Sequence, residues 1–233
     1  RRTQTRGAHP ARQGLTGNDA RQRAGMASPT RDRILQASLA LFNAEGLAGV
    51  STHKVAAELG ISPGNLHYHF KTKEQIVTVL FWRFEQKLEA LGGGVARIAA
   101  VDDYWLALHL QFEAIAEYRF IYRDMAHLAR EYPELGRRAQ ALTARNLLAA
   151  QALVTQLSAS GVLQASSEQA RILALQIVFT TTCWLSFERF IPGRDGRDTD
   201  PGLAAFYTLT LISPYISGES RAYLDYLKSK YLG

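Results

Sequence analysis

From Thr30 to Leu232, apolar residues return every three or four positions, and no two-residue alternation runs long enough to argue for a sheet. That periodicity confines the chain to helices packed on helices, an all-α fold. Ile34, Leu35, Leu39, Leu41 and Phe42 stripe a helix over about 30–45, which Gly46 can stop. Ser51 and Thr52 can cap a second helix over about 52–59, with Val55, Ala56 and Leu59 on its inner face. Ser62 caps a third, with Pro63 at its first position, where the missing N–H costs nothing, and it ends near Phe70. A fourth, over about 72–90, carries Ile76, Val77, Leu80, Phe81, Phe84 and Leu88. Beyond the break at Gly92-Gly93-Gly94, helices are expected over about 102–118, 120–130, 133–159, 167–191, 202–216 and 219–231, with a polar loop at Pro192–Pro201. The expected division is a basic tail (1–28), a small three-helix domain (29–75) and a larger helical domain (76–233).

The net charge of +6 suggests a nucleic-acid partner, but its distribution weakens that argument. Residues 1–25 hold six arginines against Asp19, residues 26–90 hold seven basic and six acidic side chains, and residues 91–233 balance at fourteen of each. The excess sits in a segment with hardly any large apolar residues, which cannot offset its own ordering entropy. That segment is read as lying upstream of a native start at Met26; the other reading is a basic arm that follows the DNA backbone. The most apolar run, around Ile177–Leu185, is interrupted by Thr180, Thr181 and Thr182, so no membrane span is expected. The single cysteine, Cys183, excludes an intrachain disulfide, and no apolar signal region stands near the start; both favour the cytoplasm.

The segment most specific for function is 51–73, STHKVAAELGISPGNLHYHFKTK. Two short helices joined through Gly60-Ile61-Ser62 have the form of a helix-turn-helix, and Gly60 supplies the unusual backbone angles such a turn needs. Val55, Leu59, Ile61, Leu66 and Phe70 would pin the pair to the first helix. Pro63, Gly64, Asn65, His67, Tyr68 and His69 then face outward. Asn and His offer hydrogen-bonding edges, and an aromatic ring can meet thymine methyls and sugars. Lys71 and Lys73 follow within reach of phosphate, and Thr52 and His53 stand at the start of the preceding helix, where free N–H groups favour an anion. A metal site is not expected: His67 and His69 do not share a helix face, and no carboxylate or thiol completes a ligand set with His53.

The same stretch resembles the DNA-binding domain of TetR-family regulators. The resemblance is carried by Ile34-Leu35-Gln36-Ala37-Ser38 through Phe42 and Gly46, by Thr52, Val55-Ala56 and Leu59-Gly60-Ile61-Ser62, and by Asn65-Leu66-His67-Tyr68-His69-Phe70 with Lys71, Lys73 and Glu74. ISPGNLHYHF is similar to the ISPGNLYYHF phrase of one subgroup; His67 stands where the family usually has Tyr. The resemblance implies DNA contacts from Thr52, His53, Pro63, Gly64, Asn65, His67, Tyr68, His69 and Lys73. It also implies a repressor that binds double-stranded operator DNA as a homodimer, and a C-terminal domain that dimerises and holds an effector.

In that C-terminal region the aromatic residues are chiefly core, and some are expected to line an effector cavity: Trp105, His109, Phe112, Tyr122, Met125, Thr181 and Trp184. The zero net charge there points to an apolar or weakly polar small molecule. Helices about 167–191 and 202–216 are the expected dimer elements, and helix four the expected link between reading head and body. No cofactor and no catalysis is expected, because no nucleophile–base pair or paired carboxylates stand out; Glu113, Glu117 and Asp124 fit solvated helix faces. The alternative class is a helical small-molecule-binding protein or enzyme with no role on DNA.

Overall fold

The computed structural model describes residues 29–92, 98, 100–192, 200–216 and 218–232. The basic tail, Gly93-Gly94 and most of the Pro192–Pro201 loop lie outside the described residues. Among the described residues every regular element is a helix, apart from one isolated bridge between Leu163 and Ile216. The order is α1 (Pro29–Glu45), α2 (Thr52–Glu58), α3 (Pro63–His69), α4 (Lys73–Gly92), α5 (Val101–Glu117), α6 (Phe120–Arg123), α7 (Met125–Glu131), α8 (Pro133–Ala159) and α9 (Ser167–Glu188). Then come α10 (Pro201–Leu209), a 3-10 turn (Thr210–Tyr215) and α11 (Gly218–Leu232).

Local chemistry explains the boundaries. The Lys54 N–H donates to the Ser51 hydroxyl, and the Asn65 N–H to the Ser62 hydroxyl, both at 3.2 Å, so α2 and α3 start where their capping serines stand. Gly46 and Gly60 adopt φ values of 85° and 63°, the left-handed region that glycine enters without steric cost. Two expected helices divide. The one expected over 120–130 breaks at Asp124, whose carboxylate turns away to accept the Leu47 N–H at 2.5 Å. The one expected over 202–216 tightens into the 3-10 turn at Thr210, with Pro214 inside it unable to donate an α-helical hydrogen bond.

α1, α2 and α3 close over Ile34, Leu35, Phe42, Val55, Leu66 and Phe70, all buried. This core continues along α4 through Phe81 and Phe84 into the larger bundle. α4 is therefore one link between the two regions. The structure adds a second link. The Asn43 amide donates to the Glu117 carbonyl at 2.7 Å and accepts the Phe120 N–H at 3.1 Å, while Leu47 is held by Asp124. The end of α1 is thus bolted to the junction of α5, α6 and α7. Asp124 is a structural acceptor there, not the solvated acid expected from its position.

Residues 202–216 are packed largely inside the subunit. Gly202 to Phe206, Thr208, Leu209 and Ile212 are buried, and α10 lies against α5. A largely apolar segment packs into the subunit's own core. Tyr207 is its one exposed large side chain, resting on Trp184 with ring centres 5.2 Å apart. By length and composition α9 is apolar enough to cross a membrane, a test that the core helix of a globular protein also passes. The buried Thr181 hydroxyl is satisfied internally by the Ile177 and Val178 carbonyls, at 3.0 and 3.1 Å.

Candidate nucleic-acid interface and interior cavity

α3 buries Leu66, with Phe70 closing its end, and leaves Pro63, Gly64, Asn65, His67 and Tyr68 exposed. Tyr68 is 78% exposed, far more than a large aromatic ring gains by packing. Thr52 and His53 of α2 meet Pro63, Gly64 and His67 of α3 around one shallow cleft, with Lys71 at its border. The cleft thus unites residues from both helices. Asn65 and Tyr68 stand on the same outward helix without bordering it.

Two residues sit differently. His69 is half-buried and borders a separate depression with Arg31, Thr72 and Gln75, while its ring meets Tyr68 edge-on at 5.2 Å. Lys73 is half-buried, donates to the Leu47 carbonyl and lies 5.7 Å from the centre of the Phe42 ring. Burial pulls its ammonium below the ordinary lysine value, against the opposing pull of Asp124 and Glu131. Its charge secures the turn after α1, leaving the exposed Lys71 as the freer cation beside the cleft. Arg31 was missed in the sequence. Its guanidinium stacks 4.6 Å from the centre of the Phe70 ring, so a basic group from α1 borders the reading head, and only the fold brings it there. Among the described residues no three His, Cys, Asp or Glu side chains come together as a metal site.

In the larger bundle a cavity of about 130 Å³ lies between α4, α5, α8 and α9. Leu88 and Leu91 come from α4, Tyr104, Leu108 and Gln111 from α5, and Thr181 from α9. Of the seven residues expected to line such a space, Thr181 alone does. The expectation on α5 was one step round the helix. Trp105 and His109 stack on each other with ring centres 5.1 Å apart, and Phe112 is fully buried in the core. The cavity instead sees the neighbouring stripe of Tyr104, Ala107, Leu108 and Gln111. Tyr122 packs edge-on against Phe84, Met125 is half-buried against the core, and Trp184 is held by Tyr207.

A capped helix, a glycine turn and a second capped helix with a polar outer edge, carried on a larger helical body, define a helix-turn-helix protein. Residues 34–80 match the family profile described as bacterial regulatory proteins, tetR family, and residues 83–224 match the profile described as TetR, bacterial transcriptional repressor. The chain belongs to the TetR family. It is 31% identical over 113 residues to the HTH-type transcriptional repressor KstR2 of Mycolicibacterium smegmatis, an alignment covering 45% of this chain and 53% of that one. The chain thus spans about half the length of that curated relative. A solved TetR-family regulator from Marinobacter aquaeolei VT8 superposes with a TM-score of 0.76 at 30% identity, covering 88% of this chain and 99% of the other. The ketosteroid transcriptional regulator KstR2 of Mycobacterium tuberculosis shares the fold, with a TM-score of 0.62 at 19% identity over 83% of this chain and 98% of its own.

Proposed function

We propose that this chain is a ligand-responsive repressor that binds a palindromic operator as a homodimer, with residues 29–75 reading DNA and residues 76–233 dimerising and holding the effector. The observation that carries this reading is the outward face of α3. Asn65, His67 and Tyr68 are exposed on a short helix whose other side is locked into the core by Leu66 and Phe70. Such a helix presents side chains to base edges in a major groove while its backbone stays fixed. Thr52, His53, Pro63, Gly64 and Lys71 border the adjoining cleft and suit the phosphate and sugar edge. His69 and Lys73 serve the reading head from behind, His69 beside Tyr68 and Lys73 by holding Leu47.

The dimer face is α9. Ile172, Leu175, Phe179 and Phe187 are exposed and fall on one side of the helix, with half-buried Cys183 between them and exposed Phe190 in the turn just after it. A second copy of the same stripe is its matching occupant, since a two-fold axis pairs a surface with itself. The same pairing accounts for the apolar character of α9 and supports a cytoplasmic regulator. An effector in the larger domain shifts the spacing of the two reading heads by the difference in its affinity for the two states.

A hydroxyl-radical footprint over the DNA upstream of the chain's own gene tests this reading. Two protected patches centred about one helical turn apart are expected. A single patch, or protection independent of sequence, would contradict it.

A further inference from the structure

The cleft shared by α2 and α3 holds titratable cations and no counter-charge. Leu66 and Phe70 are its buried lining; Thr52, His53, His67 and Lys71 stand around them. Both imidazoles are exposed, and among the described residues no Asp or Glu lines the cleft. Each acid of the reading head is placed elsewhere. On α1, Glu45 pairs with Lys54 of α2, and Asp32 pairs with Arg83 of α4. Glu58 is the last residue of α2, at the opposite end from His53. Glu74 of α4 borders the separate depression where Arg31 and His69 stand. Lys73 is turned to the Leu47 carbonyl, so Lys71 is the lysine that shares the cleft with the two rings. The protein thus offers an imidazolium in this cleft a like charge and no opposite one.

We infer that the cleft is a proton-dependent phosphate clamp: His53 and His67 grip a DNA backbone phosphate in their protonated form, so operator binding takes up protons. A neutral imidazole can donate from one nitrogen only, and its other nitrogen turns a lone pair toward any acceptor. The protonated ring donates from both nitrogens and makes charge-assisted hydrogen bonds, which suits a phosphate oxygen that only accepts. An imidazole changes charge between about pH 5 and 8, and an anion beside it favours the charged form. The DNA therefore brings the counter-charge that the cleft lacks. Coupling of this kind is reciprocal: if phosphate favours the proton, the proton favours phosphate, and operator affinity rises as pH falls through that range. His67 stands where the family usually has Tyr, and a tyrosine hydroxyl keeps its proton up to about pH 10, so the usual residue supplies no such coupling. The inference rests on reading α2 and α3 as the DNA-binding pair and adds a regulation of that same site.

Fluorescence-anisotropy titration of the footprinted operator duplex with the full chain, at about pH 6 and about pH 8 and over a range of salt, tests the clamp. The parent is expected to bind at least about tenfold tighter at the lower pH. Its affinity should also fall more steeply with salt there, by up to about one unit of logarithmic slope per protonated ring. His67→Tyr is expected to give up about half of the pH dependence, and the double variant His53→Gln, His67→Gln to bind within about threefold equally at the two pH values. Both side chains are exposed, so neither variant is expected to melt lower than the parent. The clamp is overturned if the parent binds the duplex equally at both pH values, which leaves the operator reading standing, or if the double variant keeps the parent's full pH dependence. Absence of specific binding at either pH defeats the operator reading and the clamp with it.

Discussion

With Phe179 and Phe187 both replaced by aspartate, the chain is expected to sediment as a monomer at micromolar concentration and to lose cooperative operator binding. Both rings are largely exposed, 66% and 59%, so their replacement leaves the subunit core intact. In a two-fold dimer each appears twice. Burying one such side chain stabilises by about 1.5–3 kcal/mol, so four together supply about 6–12 kcal/mol, comparable to the whole affinity of a micromolar-to-nanomolar dimer. Aspartate removes that term and adds a desolvation penalty. A monomer carries one reading head, so the gain from engaging two half-sites at once disappears. The far-ultraviolet circular dichroism spectrum should stay that of the parent. A double variant that still sediments as a dimer would place the interface elsewhere.

Phe84→Ala is expected to destabilise the chain by about 3–5 kcal/mol, lowering the melting temperature by roughly 10–15 °C. Phe84 is fully buried on α4, where the reading head's core runs into the larger bundle. Its ring meets Tyr118 at 5.6 Å and Tyr122 edge-on at 5.7 Å between centres. Each aromatic pair adds about 0.5–1.5 kcal/mol beyond area burial. The site cannot collapse easily, because the 117–124 segment is already bolted to α1 through Asn43 and Asp124. Urea denaturation followed by circular dichroism reads the change; a loss under about 1 kcal/mol would mean that the junction repacks freely. Phe84→Leu keeps most of the volume and should cost less than half as much.

The reading head was legible in the sequence because its determinants are local. Caps at Ser51 and Ser62, the turn at Gly60 and the buried set Val55, Leu66 and Phe70 lie within twenty residues and signal one another through short spacings. The larger bundle was legible as helices but not as faces. α5 is apolar on several sides, with Leu106 and Leu110 exposed, so the stripe of Trp105, His109 and Phe112 could not be ranked below that of Tyr104, Leu108 and Gln111 until its neighbours were in place. For residues 202–216, too, uniform hydrophobicity says that a segment is buried, not against what. Lys73, Asn43 and Asp124 were invisible in their structural roles, because their partners lie 26 to 77 positions away and no local pattern announces them.

Binding at the operator, read with one exposed tyrosine removed at a time, is the most direct test of α3 as the reading helix. Tyr68→Ala is expected to weaken specific operator binding by at least about tenfold, with the melting temperature unchanged. Tyr226→Ala, which removes another exposed tyrosine, on α11, is expected to change neither. Equal affinities for the parent, Tyr68→Ala and Tyr226→Ala chains would contradict the assignment of α3 to the DNA.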